Sequence, residues 1–318
     1  MSSQTVPLHL SEWPFPELET QLRNNLKALI QEVETTNSIT LERLEGVSVV
    51  ENLAASLKSF DAGYPSDHAA AMRDTIVGRM ITTNRDGRVQ GHIFLPIAAA
   101  VEIAKKDGAR LYAYMFAHEC AHLQDLETRA KCLTTVELLN PPLAQPIALT
   151  QQIAWNEYAA CRLSAYADPD RSEDFKELLR QNVDALLASR DKPRAAFAAP
   201  IEARIRALNL ALDLALPVLQ AFSYLLGHCR GIARELAELV PENYLALTSD
   251  QQIREAFADV ERHLDLLWQS RDQWQGYSAF NNLVAANCRL IAELTGIVMA
   301  ARANREMGVG LTKQKAGG

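Results

Sequence analysis

Apolar residues recur at helical spacing between Glu17 and Val33, where Leu18, Leu22, Leu26, Leu29 and Ile30 share a face. That period predicts an amphipathic helix. A second short helix is expected over Val49 to Phe60, ended by the Gly63 and Pro65 of DAGYPSD. Then the period changes. Two β-rich runs, Thr75 to Thr83 and Arg88 to Leu95, flank Asn84-Arg85-Asp86-Gly87. An Asp-Gly pair supplies the positive φ of a tight turn, so these runs read as a β-hairpin. Its second strand ends at Pro96.

From Ile97 to about Thr128 the pattern is helical again, interrupted at Asp107-Gly108. Asn140-Pro141-Pro142 and Pro146 mark a loop, and a helix is expected from about Leu149 to Tyr166. The remainder reads as helices over Ser172–Arg190, Pro200–Leu216, Val218–Leu239, Ser249–Gln269 and Tyr277–Glu306, before a disordered tail. The expected fold is therefore α+β and mainly helical. A small β-sheet or hairpin would lie beside the helix around residue 118, with a C-terminal helical bundle. The expected organisation is a helical segment over 1–60, a core over 61–170, helices over 171–306 and a tail over 307–318.

Composition narrows the function classes. The 318 residues are 48% hydrophobic and 22% charged, as in a globular chain. The 39 acidic residues outnumber the 32 Lys and Arg. That balance argues against nucleic acid as a partner, since such binding needs a basic surface. Five cysteines occur with no CxxC pair, which reads as reduced thiols in a cytoplasmic protein. The opening MSSQTVPLHLSEWPFPE lacks the basic and apolar regions of a secretory signal. Leu208 to Gly227 is the most apolar stretch, but it holds Asp213, Pro217 and Gln220. A charge at a bilayer centre is expensive, so a buried helix is expected and no membrane partner.

One pentapeptide carries chemistry. His118-Glu119-Cys120-Ala121-His122 is an HExxH sequence. On a helix its histidines lie one turn apart on one face and can offer two nitrogens to one metal ion. Glu119 then reaches a water on that metal. Zinc suits nitrogen and carboxylate ligands with one position left open. The pentapeptide arises by chance in roughly one such sequence in a hundred. The alternative is a core helix whose two histidines are paired by local carboxylates. The apolar run Leu111, Tyr112, Tyr114, Met115 and Phe116, unbroken by Pro or Gly, favours the metal. Cys120 should point away from it.

A third ligand must come from elsewhere. The metzincin pattern needs Gly and His where this chain has Asp125 and Thr128, which excludes that class. Glu157 is the better candidate. It lies 157 − 122 = 35 residues after His122, enough for one helix to end, a loop to turn and a second helix to return antiparallel. A carboxylate between Trp155 and Ala160 is costly to bury unless it meets a cation. Glu137 is the runner-up.

These residues resemble a family. HECAH followed by Asn156-Glu157-x-x-Ala160 is similar to the glutamate zincins, HExxH metallopeptidases of the gluzincin type. Glu157-Tyr-Ala-Ala160-Cys-Arg-Leu163-Ser-Ala165 also resembles the ExxAxxFA signature of ImmA/IrrE-type metallopeptidases. The resemblance covers about residues 75–170. It implies zinc held by His118, His122 and Glu157, with Glu119 as general base in hydrolysing a peptide or protein substrate. It departs at Cys161, where thermolysin-like members carry an Asp that orients a histidine ligand. Asp125 is a possible replacement. Tyr158, Tyr166, Arg162 and His228 are candidate oxyanion donors, although His228 on its apolar helix reads more readily as a core histidine. The strand Gly91 to Leu95 is a candidate edge for β-augmentation by substrate. A catalytically silent zincin-fold regulator, or a helical interaction protein with an accidental motif, are the competing readings.

Overall fold

The computed structural model describes residues 6–10, 12–37, 41–60, 78–85, 87–105, 109–301 and 307–312. The chain is α+β and mainly helical, as the periodicity predicts. It divides into two compact units, the first from residues 1–130 and 163–168, the second from 131–162 and 169–318.

The first unit is built on a four-stranded sheet of order β1-β2-β4-β3. Its strands are β1 (Leu8–His9), β2 (Leu44–Val50), β3 (Arg79–Arg85) and β4 (Arg88–Pro96). The expected hairpin is there. β3 and β4 pair antiparallel with Arg85 opposite Arg88, and Gly87 takes φ +78° in the turn. The expected residues Thr75 to Val77 lie outside the described residues. β2 corrects the sequence reading. Residues 49 and 50 end a strand parallel to β4, and the helix, α2 (Leu53–Phe60), begins later. β4 is also central, paired on both sides, so it offers no free edge for augmentation. That expectation is overturned.

On one face of this sheet Val50, Ile81 and Phe94 pack with Leu57, Leu53 and Phe60 of α2. α1 (Glu19–Asn37) buries Leu22, Leu26 and Val33. It packs on α3 (Ile97–Lys105), and Asn25 Nδ2 donates to the carbonyls of Ile103 at 2.8 Å and Ala104 at 3.2 Å. Those carbonyls end α3 without intrahelical partners, so the amide side chain closes the helix. α4 (Ala109–Cys132) carries the HExxH sequence.

The second unit is helical with one hairpin. Its elements are α5 (Thr135–Leu139), α6 (Gln145–Ser164), α7 (Ser172–Leu187), α8 (Lys192–Ala196), α9 (Ile201–Gly231), α10 (Glu242–Leu247), α11 (Gln251–Gln269) and α12 (Asn281–Thr295). Two helices expected around Pro217 are one. α9 runs 31 residues through that proline. Proline removes one N–H and costs a helix interior about 3 kcal/mol. Burial of Leu212, Ala215, Val218, Leu219, Phe222, Leu225 and Leu226 on either side offsets it.

By length and composition α9 could cross a membrane, but 61% of its most apolar window is buried within the protein. Gly227 permits a close crossing. A Cβ there would lie 2.3 Å from the Tyr158 carbonyl oxygen, so α9 touches the backbone of α6.

The helix expected over Tyr277–Glu306 stops at Thr295, where Gly296 takes φ +77° as a left-handed cap. β5 (Ile297–Ala301) then pairs antiparallel with β6 (Met307–Leu311). The tail expected to be disordered therefore begins as a strand, and the C-terminal part is not purely helical. Residues 313–318 lie outside the described residues.

Candidate metal centre

The HExxH sequence forms a cluster within the first unit. One ligand atom each from His118, Glu119 and His122 lie within 4.8 Å of one another. The helix spacing sets this: the two rings meet edge to face one turn apart, centroids 4.7 Å distant and planes at 88°. His118 and Glu119 are buried and His122 is half-buried. Two imidazoles and a carboxylate gathered on one mostly buried helix face are a donor set that fits a divalent cation. Among the described residues this is the one group of three such side chains.

Packing between α4 and the sheet positions the cluster. A Cβ at Gly91 would lie 2.5 Å from Leu123 Cδ1 and 3.0 Å from Met80 Sδ, so the bare backbone of β4 admits the helix. Gly78, just before β3, is less tight, with a Cβ there 3.4 Å from Glu119 Cγ.

The backbone N–H of Met80 donates to Glu119 Oε2 at 2.5 Å. Strand parity explains why this donor is free. Arg85 and Arg88 close the turn as a hydrogen-bonded pair, so residues 83, 81 and 79 also bond to β4. Met80, Thr82 and Asn84 turn their backbone groups to the opposite edge. β3 is the sheet's outer strand among the described residues, and Glu119 engages the first donor on its free side.

Asp125 lies on the same face of α4, one turn beyond His122, and its carboxylate is 2.7 Å from Arg129 Nε with both side chains largely buried. Cys120 is fully enclosed. Burial pushes its thiol well above the ordinary value, and Glu119 and Glu34 add to the effect. Tyr166, in the first unit, is raised by burial first, then by Glu32 and Cys120.

The remaining sequence candidates belong to the second unit. Glu157 lies on α6, half-buried, and its Oε1 accepts from Gln220 Nε2 at 3.4 Å. Gln220 is held in turn by the Tyr224 hydroxyl at 2.9 Å. Tyr158 and Arg162 have partners within the second unit. The Tyr158 hydroxyl donates to Asp265 Oδ1 at 2.5 Å and accepts from Arg162. Arg230 completes the group, with Asp265 at 3.0 Å and Glu261 at 2.6 Å. Burial first, then Asp265, raises the Tyr158 phenol. Arg162 also lies over the Trp268 ring at 4.4 Å.

His228 is fully buried, 3.3 Å from the Pro169 carbonyl and 5.4 Å from the Phe175 ring. It is the core histidine that its apolar helix suggests.

Glu137 is corrected. Its Oε2 accepts from the N–H and hydroxyl of Thr134, both at 2.9 Å, and Oε1 from Tyr277 N at 3.2 Å. It is the third residue of a capping box for α5, and these bonds hold its carboxyl below the usual range.

Sequence reasoning missed Met80 and Asp265. A backbone donor leaves no mark in residue identity, and Asp265 is 107 residues from the tyrosine it meets. No protein-family model, curated protein or solved structure matches the chain.

Proposed function

We propose that the chain is a zinc-dependent metallopeptidase, with His118 and His122 as ligands and Glu119 as general base. The observation that supports this most is the clustering of His118, Glu119 and His122 within 4.8 Å on one buried helix face. Glu157 is the proposed third ligand, on the resemblance of Asn156-Glu157-x-x-Ala160 to the gluzincin pattern. Within the second unit, Gln220 Nε2 donates to Glu157 Oε1 at 3.4 Å and helps orient this carboxylate. Zinc, when bound there, lowers the pKa of a coordinated water toward neutrality and polarises the scissile carbonyl.

The chain's own residues do the rest. Met80 holds Glu119 Oε2 in place, which leaves Oε1 to take the proton of the attacking water and pass it to the leaving amine. Burial of His118 and Glu119 excludes competing water. Arg129 fixes Asp125 one turn from His122, where the carboxylate can keep the ligand helix's charge balanced. With β4 paired on both sides, main-chain pairing to an extended peptide falls, among the described residues, to the outer edge of β3 at Thr82 and Asn84, since Glu119 holds the Met80 donor.

A second reading keeps the metal and drops the chemistry: a silent zincin-fold regulator. The Met80 bond favours it to the extent that a carboxylate so anchored also serves as a strut. Hydrolysis of a peptide library by the wild type separates the two. Loss of that hydrolysis in Glu119→Gln, with zinc retained, is the expected result. Equal hydrolysis by the variant contradicts the general-base role, and no hydrolysis by the wild type leaves the regulator.

A further inference from the structure

A cleft lies between β1 and α1 in the first unit, away from the histidines. Its volume is about 220 Å³. The cleft opens to solvent and is several times the roughly 30 Å³ share of one water.

Leu8, Leu26, Ile30 and Val47 give it an aliphatic wall, beside the polar Asn24 and Gln31. Leu26 and Val47 are buried almost completely, at 3% and 1% exposure, so the apolar lining is part of the folded core. Arg23 and Lys27, one turn apart on the same helix, also line it. Arg23 is ion-paired to Glu19 at 2.8 Å. Lys27 is exposed and, among the described residues, has no carboxylate within ion-pairing distance. Glu34 lines the cleft too and keeps its charge, with its Oε1 held by the Leu41 N–H at 3.0 Å. An aliphatic pocket with one uncommitted ammonium has the chemistry of a receptor for an amphipathic anion.

We infer that this cleft binds a small aliphatic carboxylate, its chain against Leu8, Leu26, Ile30 and Val47 and its head group on Lys27. An apolar cavity of about 150 Å³ admits benzene, so this one takes a chain of roughly six to eight carbons. Nothing in the metallopeptidase reading requires it. The ligand would be a free fatty acid or a compound with the same short acyl tail and terminal negative charge.

The test is an amide chemical-shift titration of the full chain with sodium octanoate and, separately, with octan-1-ol. Lys27→Glu is the paired variant. Lys27 is exposed and outside the packed core, so the variant keeps the fold, checked by its circular dichroism. Saturable shifts confined to residues around the cleft are expected with octanoate. Its affinity should fall about fivefold or more in Lys27→Glu, because an attraction becomes a repulsion. Octan-1-ol should bind the wild type more weakly than octanoate and should be indifferent to the substitution. The proposal is overturned by an absence of saturable shifts with octanoate. Equal octanoate affinity in Lys27→Glu, or octan-1-ol binding as tightly as octanoate, overturns it as well.

Discussion

The backbone N–H of Met80 meets Glu119 Oε2 at 2.5 Å, so the strand at the sheet's edge among the described residues holds the carboxylate proposed as the general base. The bond exists because strand parity turns Met80 away from β4. A hydrogen bond to a charged group contributes about 1.5–3 kcal/mol. Met80→Pro deletes the donor, and an outward-facing edge position tolerates proline. The expected result is a fall in kcat/KM of about ten- to a hundredfold with zinc content unchanged. An unchanged kcat/KM contradicts the positioning role.

Gly227 is where α9 meets the backbone of α6. In an isolated helix, Gly→Ala gains about 1 kcal/mol from propensity. Here the added Cβ would stand 2.3 Å from a carbonyl oxygen, which cannot swing aside as a side chain can. Overpacking wins, and Gly227→Ala should destabilise the chain by about 2 kcal/mol or more in chemical denaturation. A stabilised variant would show that the two helices do not touch at this point.

Burial raises the Cys229 and Cys288 thiols to about 11 from an ordinary 9.0. The unfolded chain therefore releases these protons first as pH rises. Stability supplied by the two thiols is complete below about pH 9 and is lost as pH rises toward about 11. Denaturation midpoints should fall more steeply over that range for the wild type than for a Cys229→Ala, Cys288→Ala double variant. Parallel slopes would mean the thiols ionise alike in both states. At about pH 8 the fully enclosed Cys120 and Cys229 should resist alkylation while Cys132, only half-buried, reacts first.

What was legible in the sequence was local. His118 and His122 are four residues apart, and helix geometry alone brings them together. Asp86-Gly87 likewise announced the hairpin, because the turn needs only its own residues. The strand β2 was not legible. Its seven residues, LEGVSVV, mix Glu45, Gly46 and Ser48 with the buried Leu44, Val47, Val49 and Val50, and over so short a stretch periodicity does not separate a strand from a helix start.

Pro217 misled for the opposite reason: a local breaker was overridden by core packing along α9. At the other end, Gly296 did signal a helix stop before the β-branched Ile297-Val298, a cue outweighed by the helical pattern on either side. Tyr158 and Arg162 had plausible chemistry, but their partner Asp265 is distant in sequence, and only the fold joins them.

The central claim is that His118 and His122 hold zinc. Elemental analysis of the protein purified without chelator, beside His122→Ala prepared the same way, tests it most directly. About one zinc per chain is expected in the wild type and much less in the variant, since a catalytic site needs three protein ligands. No bound zinc in the wild type, or equal zinc in His122→Ala, would contradict it.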